Sequence, residues 1–264
     1  SNPSKTDYNI GGREDKECWD YSGGREKYGW RMRKPGQPFF AIVNIGDSHE
    51  SRAHGSHDDV KKDPAKMTLF SYHPDLPVIR KTYAKYADAV ENMDRKVQAT
   101  IDALKADGLY ENTIIVYNSD HGGVMARSKR FLYSSGVHCP LVIRFPESMK
   151  HLYPGDKPGT TVDRIVSFVD MPKTWLSLAG ANIPNTYQGT IFLGDDTETA
   201  PKYHLGFRER ADERLDHVRL MRTGRYSYHK NYFPFAPAGH HLAYLWKAQL
   251  TPAWEQHHLE GKTN

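Results

Sequence analysis

Residues 38–45 form a continuous apolar run behind a proline, the pattern of a strand buried on both faces, and the run stops at Gly46-Asp47-Ser48-His49-Glu50. Between residues 80 and 107, the apolar positions Tyr83, Tyr86, Ala87, Val90, Met93, Val97, Ile101 and Leu104 recur at steps of three and four, which predicts an amphipathic helix ended by Gly108. A β-branched run at 113–118 and a second apolar run at 140–146 predict two more strands. Residues 165–170 read as a strand leading into a short helix, 172–179, closed by Gly180.

Strands alternating with helices imply an α/β fold with a doubly wound, mostly parallel sheet flanked by helices, in which ligands bind beyond the carboxyl ends of the strands. Residues 1–37 are rich in glycine, charge and aromatics without a sustained period, and read as loop. Residues 51–78 form a polar loop, long enough to be a candidate active-site rim. After residue 200 the texture changes. Residues 219–228 read as two short strands around a glycine turn, the start of a small antiparallel C-terminal subdomain, and 254–262 as a helix. The expected division is therefore 1–200, the α/β part, and 201–264, the beginning of the C-terminal subdomain.

Composition narrows the function classes. A sequence of 264 residues, 38% hydrophobic and 12% aromatic, can fill a core. The net charge of +4 arises from 36 basic and 32 acidic residues spread along the chain, so it leaves no electrostatic footprint for nucleic acid, and no nucleic-acid partner is expected. Cys18 and Cys139 are far apart and lack CxxC spacing, so neither a zinc site nor a disulfide framework is indicated. No apolar run approaches the length of a membrane span, so no membrane partner is expected, and the first residues lack the apolar core of a signal peptide.

Two clusters carry the candidate chemistry: Asp47-x-His49 after the first predicted strand and Asp120-His121 after the second. A carboxylate and an imidazole at a strand terminus suit a divalent cation, and Gly122-Gly123 lets backbone approach closely. Read alone, Asp-His-Gly-Gly is more often a turn, and Asp47 and His49 more often solvated loop residues. His49 could otherwise donate a hydrogen bond or proton to an anionic group. Lys129 lies in a charge run that normally marks a solvated face, yet a lysine near a metal would stabilise charge on a leaving group. His138 stands ahead of the third predicted strand, at the wrong end for a ligand at that strand's carboxyl end, and fits a structural histidine equally well.

The segments Tyr86-x-Asp88-x-Val90-x-x-Met93-Asp94, Leu109-Tyr110-Glu111-Asn112-Thr113-Ile114-Ile115-Val116 and Ser119-Asp120-His121-Gly122 resemble, in order and spacing, the core of sulfatases of the alkaline phosphatase superfamily. Lys129-x-x-x-Tyr133-x-x-Gly136-Val137 and the following Pro140-Leu141-Val142-Ile143-Arg144 continue the likeness, which runs from about 38 to 194. The tail resembles the start of the C-terminal subdomain in bacterial members related to the heparan N-sulfatase type. The resemblance implies a sulfuric ester hydrolase acting on a sulfate ester or sulfamate with a divalent metal and a formylglycine nucleophile. It implies Asp120 and His121 as metal ligands, His49 and Lys129 as sulfate-contacting catalytic residues, and Lys5 as a second lysine contact. Asp47, His138, Arg208 and Arg210 are expected to bind substrate, with His240 and His241 near them.

Two departures stand out. The family's Cys-x-Pro-Ser-Arg segment, whose cysteine becomes formylglycine, is not in this sequence, so the chain is expected to be a fragment, inactive by itself, that lacks its front part and its C-terminal end. His121 stands where relatives carry asparagine. Calcium is expected from the resemblance, while an imidazole is compatible with manganese or zinc. The expected partners are a small-molecule or glycan sulfate ester and a formylglycine-generating or sulfatase-maturating enzyme, and the expected location is periplasmic or secreted. The alternatives are a phosphodiesterase or phosphonate monoester hydrolase of the same superfamily, and an inactive anion-binding pseudoenzyme.

Overall fold

The computed structural model describes residues 15–23, 27–237 and 239–262. After a short helix α1 (Asp15–Cys18), the dominant element is α2 (Pro77–Ala106). It starts on a proline, whose missing N–H costs nothing in a first turn. It ends as the glycine predicts: Gly108 takes φ 69°, its N–H bonds the Lys105 carbonyl at 3.0 Å, and the Leu109 N–H bonds the Leu104 carbonyl at 2.9 Å. That pair of bonds satisfies carbonyls the helix end would otherwise leave open.

Two strands follow, β1 (Ile115–Asn118) and β2 (Leu141–Arg144), with the short helix α3 (Ser134–Val137) between them. Helix α4 (Asp170–Leu178) packs with the two strands around Phe145, Phe192 and Leu193. The rear of the chain is an antiparallel sheet, β3 (His204–Ala211), β4 (Arg214–Arg222) and β5 (Ser227–Asn231), followed by α5 (Leu250–Leu259). The rear is not detached from the front. Ala248 and Leu250 share a buried cluster with Ile79 of α2 and with Val124, Met125 and Ala126, while Ala211, Leu242 and Leu245 close over Phe131. Both clusters lie against the segment between β1 and β2. No helix among the described residues is long and apolar enough to cross a membrane.

The α/β character stands, and the sheets among the described residues, one of two strands and one of three, are antiparallel in every ladder. The runs 38–45 and 165–170, expected as strands, belong to neither sheet. Phe40 is 57% exposed and Val169 46%. An apolar run records what a strand would bury; a ladder also needs neighbouring strands on its edges, and the described residues set none beside these two runs. The rear sheet contains the predicted glycine-turn hairpin and one strand more, β3, in which Leu205 and Phe207 are exposed and Arg208 is buried, so its apolar positions do not mark the buried face.

Candidate functional site

The pairing of β1 with β2 sets the geometry. Asn118 lies opposite Leu141, so the exit of β1 and the entry of β2 are at the same end. This corrects the placement of His138: because β2 runs antiparallel to β1, the residues ahead of β2 stand beside Ser119 and Asp120 rather than at the far end. His138 itself is exposed, at the end of α3. Burial raises the Cys139 thiol pKa, against a lowering bond to Ser119, and the Asp120 carboxylate adds to the rise.

At this end the chain turns tightly. The Gly122 and Gly123 N–H groups bond the carbonyls of Gly136 and Ser135 at 2.8 and 3.0 Å. A Cβ on Gly122 would sit 2.1 Å from the Ser135 carbonyl oxygen, so only glycine permits the approach. His121 Nδ1 lies 2.7 Å from its neighbour's carbonyl, that of Gly122. A carbonyl can only accept, so Nδ1 carries the proton and Nε2 keeps its lone pair. That nitrogen is 3.7 Å from Oδ1 of Asp120, whose side chain is 74% exposed. Two donors so spaced can both reach one ion at the usual ~2.0–2.4 Å. The pair fits part of a divalent-metal site; no cluster of three or more such donors occurs among the described residues.

The second cluster is fixed against α2. The Tyr86 hydroxyl donates to the Ser48 carbonyl at 2.9 Å, and burial pushes its pKa up to about 12, with smaller contributions from Tyr117 and Asp120. Tyr86 thus stands between the Asp120 end and the turn holding His49. Asp47 is gripped by Lys96, 2.6 Å from each carboxylate oxygen. His49 Nδ1 accepts from the Ser51 N–H at 3.3 Å, which assigns its proton to Nε2. The two imidazoles thus differ in tautomer, with the proton on Nε2 in His49 and on Nδ1 in His121.

Between the clusters lies a group of charges centred on Glu50, which is fully buried. Both its carboxylate oxygens accept from Arg130 Nη1 at 2.8 Å, and Lys129 Nζ is 3.5 Å away. Arg130 also bonds Asp212 of the rear hairpin at 2.7 Å. The Lys129 N–H bonds the Gly123 carbonyl at 2.9 Å, so Lys129 joins the Asp120–Gly123 turn by its backbone and the His49–Glu50 turn by its side chain. Arg127 and Arg130, on either side of Lys129, hold φ of 69° and 78°, a left-handed conformation unusual for long side chains; in Arg130 the bonds to Glu50 and Asp212 hold it there.

Sequence reasoning missed Glu50, Arg130 and Asp212. Glu50 reads as one more acid in a polar turn, and the only hint is its position beside His49. Arg208 and Arg210, expected together, are separated. A register shift between them turns Arg208 inward, 8% exposed, and leaves Arg210 exposed. His240 lines a small cavity with Arg208, whereas His241 packs on Trp246, ring centroids 4.6 Å apart. Lys5 lies outside the described residues. In the 51–78 loop, His73 is buried against the same segment: its Nε2 is 3.1 Å from the Ala126 carbonyl and its Nδ1 2.7 Å from the Tyr83 hydroxyl.

Comparison with known proteins places these features in context. The sulfatase family model matches residues 1–181, more than half of the chain. The chain is 31% identical, over its whole length, to an ulvan-active sulfatase of Formosa agariphila, and covers 48% of that protein. Over 39% of its length it is 33% identical to an N-acetylglucosamine-6-O-sulfatase of Bacteroides thetaiotaomicron, covering 18% of it. A candidate sulfatase of Bacteroides thetaiotaomicron matches in fold over 76% of this chain and 51% of its own, with a TM-score of 0.53 and 19% identity. The chain spans about half the length, or less, of the curated relatives it matches.

Proposed function

Since this chain belongs to the sulfatase family of the alkaline phosphatase superfamily, we propose that it carries the sulfate-binding end of a sulfuric ester hydrolase. The observation that supports this most is Lys129, whose ammonium lies 3.5 Å from Glu50 next to His49, while its N–H holds the turn that bears Asp120 and His121. The Lys129 ammonium and the turn bearing His49 meet at Glu50, which supports a sulfate position beside them.

In this reading Asp120 and His121 Nε2 hold part of a divalent ion, with calcium first and manganese or zinc compatible with the imidazole. When bound, the ion supplies positive charge to the sulfate oxygens and orients the group. Lys129 holds a sulfate oxygen, and Lys5 is a second contact. Glu50 limits where the Lys129 ammonium can go, so the charge is preorganised rather than drawn in from solvent. His49 donates from Nε2–H to a sulfate oxygen or to the leaving oxygen. His138, beside the Asp120 end, and Arg208 act on the rest of the substrate, a sulfated glycan or small ester. Asp47 serves indirectly, by fixing the His49 turn to α2 through Lys96. The nucleophile is a formylglycine made by a maturation enzyme from a cysteine outside these residues, and the protein works in the periplasm or outside the cell.

The test is turnover of an aryl sulfate against an aryl phosphonate by the protein produced together with a formylglycine-generating enzyme. A larger kcat/KM for the sulfate is expected. A strong preference for the phosphonate contradicts the proposal.

A further inference from the structure

We propose that the cavity behind the Phe131-Leu132-Tyr133 turn is a second oxyanion subsite, in which the buried fork of Arg208 takes a two-oxygen anionic group of the substrate, a carboxylate or a second sulfate. This deepens the sulfatase reading and rests on it for the identity of the bound molecule.

Arg208 is 8% exposed and Asp216, on the neighbouring strand β4, 6%. Their one contact uses Nη1, 3.2 Å from Asp216 Oδ2, while the other carboxylate oxygen accepts from the His217 N–H at 2.8 Å. The guanidinium lies over the Phe131 ring, 4.4 Å from its centroid, which fixes its plane. Its Nε and Nη2 are buried and have no hydrogen-bond partner among the described residues. Those two nitrogens form the edge of a guanidinium that makes two parallel hydrogen bonds to a carboxylate, sulfate or phosphate. Asp216 occupies the other side, so the fork is left for a second acceptor.

The cavity lined by Arg208 has a volume of about 110 Å³, and its wall also holds Tyr133, His229, Asn231, His240 and Asp216, the carboxylate paired with Arg208. A water's share of liquid volume is about 30 Å³, so the space accommodates one compact oxyanion. His229, Asn231 and His240 can each donate a hydrogen bond to it. Arg127 adds positive charge from outside, 4.0 Å over the Tyr133 ring. The cavity also adjoins the proposed reaction centre: Phe131 follows Lys129 by two residues, at most about 7 Å along the chain. An anionic group one sugar unit from the scissile sulfate would reach it.

The test is calorimetric titration of the full chain with sodium glucuronate and, separately, with sodium sulfate, at ionic strength held constant with sodium chloride. Saturable glucuronate binding is expected to weaken at least tenfold in Arg208→Lys, which keeps the charge and loses the fork, and less than twofold in Lys129→Ala. If glucuronate does not bind and sulfate shows this ranking, the group is a second sulfate. Absence of saturable binding by both anions, equal binding by Arg208→Lys and the parent chain, or loss in Lys129→Ala alone overturns the proposal. Should Arg208→Lys fail to fold by thermal melt, His240→Ala on the rim decides: a severalfold loss supports the subsite and unchanged binding refutes it. The readout needs no turnover, so failure of the sulfatase reading and failure of the subsite are distinguishable.

Discussion

Replacing His73 with glutamine should remove a defined part of the protein's sensitivity to acid. The imidazole is 6% exposed, and both nitrogens are satisfied in the neutral form: Nε2–H donates to the Ala126 carbonyl and Nδ1 accepts from Tyr83. Burial lowers its pKa from 6.5 to about 4, with the bond to Ala126 acting the other way and the Arg127 charge adding to the drop. The unfolded chain takes up this proton from about pH 6.5 downward, whereas the folded protein resists until about 4. Its stability contribution is therefore whole above 6.5, falls through that window, and is constant below it. At ~1.36 kcal/mol per pH unit the full loss is roughly 3 kcal/mol, with about 2 kcal/mol already gone at pH 5. Urea unfolding of parent and variant at pH 7.5 and pH 5 measures it. Other groups titrate in both proteins and cancel, so the parent should lose about 2 kcal/mol more than His73→Gln between these pH values. Equal losses would refute the buried, neutral histidine.

Two further substitutions test the framework of the site. Glu50→Gln keeps the shape but leaves Arg130 and Lys129 without their shared buried carboxylate, and should cost about 3–5 kcal/mol in urea unfolding. A cost below about 1 kcal/mol, as for an exposed pair, contradicts the burial argument. Gly122→Ala forces a methyl into the Ser135 carbonyl and should cost about 1–3 kcal/mol or more. Gly224→Ala, where nothing lies within 4 Å of the added carbon, should stay within about 0.5 kcal/mol in the same assay.

What could be read from the sequence depended on whether the information was local. Helix α2 announced itself because its apolar stripe and Gly108 lie within one stretch, and β1 and β2 because β-branched runs are bounded by turn residues. Strand direction is not local. The run at 140–146 looks the same pointing either way, and assuming a parallel sheet set His138 at the wrong end. The run at 38–45 has a strand's composition, but composition does not say what lies beside it. Asp120, His121 and Lys129 could be singled out by residue type, whereas Glu50 could not. Its importance comes from burial beneath Arg130, 80 residues away in sequence. The separation of Arg208 from Arg210 rests on one irregularity in the β3–β4 ladder, which strict alternation would not reveal.

The most direct test of the account is the behaviour of Asp120→Asn. The variant should fold like the parent, since the Asp120 side chain is 74% exposed and its ion-pair contact among the described residues is with His121 at 3.7 Å. Divalent metal content by elemental analysis and aryl sulfatase activity of the formylglycine-bearing protein should then fall together. Metal content and activity equal to those of the parent would contradict the assignment of Asp120 and His121 as the chain's share of the metal site.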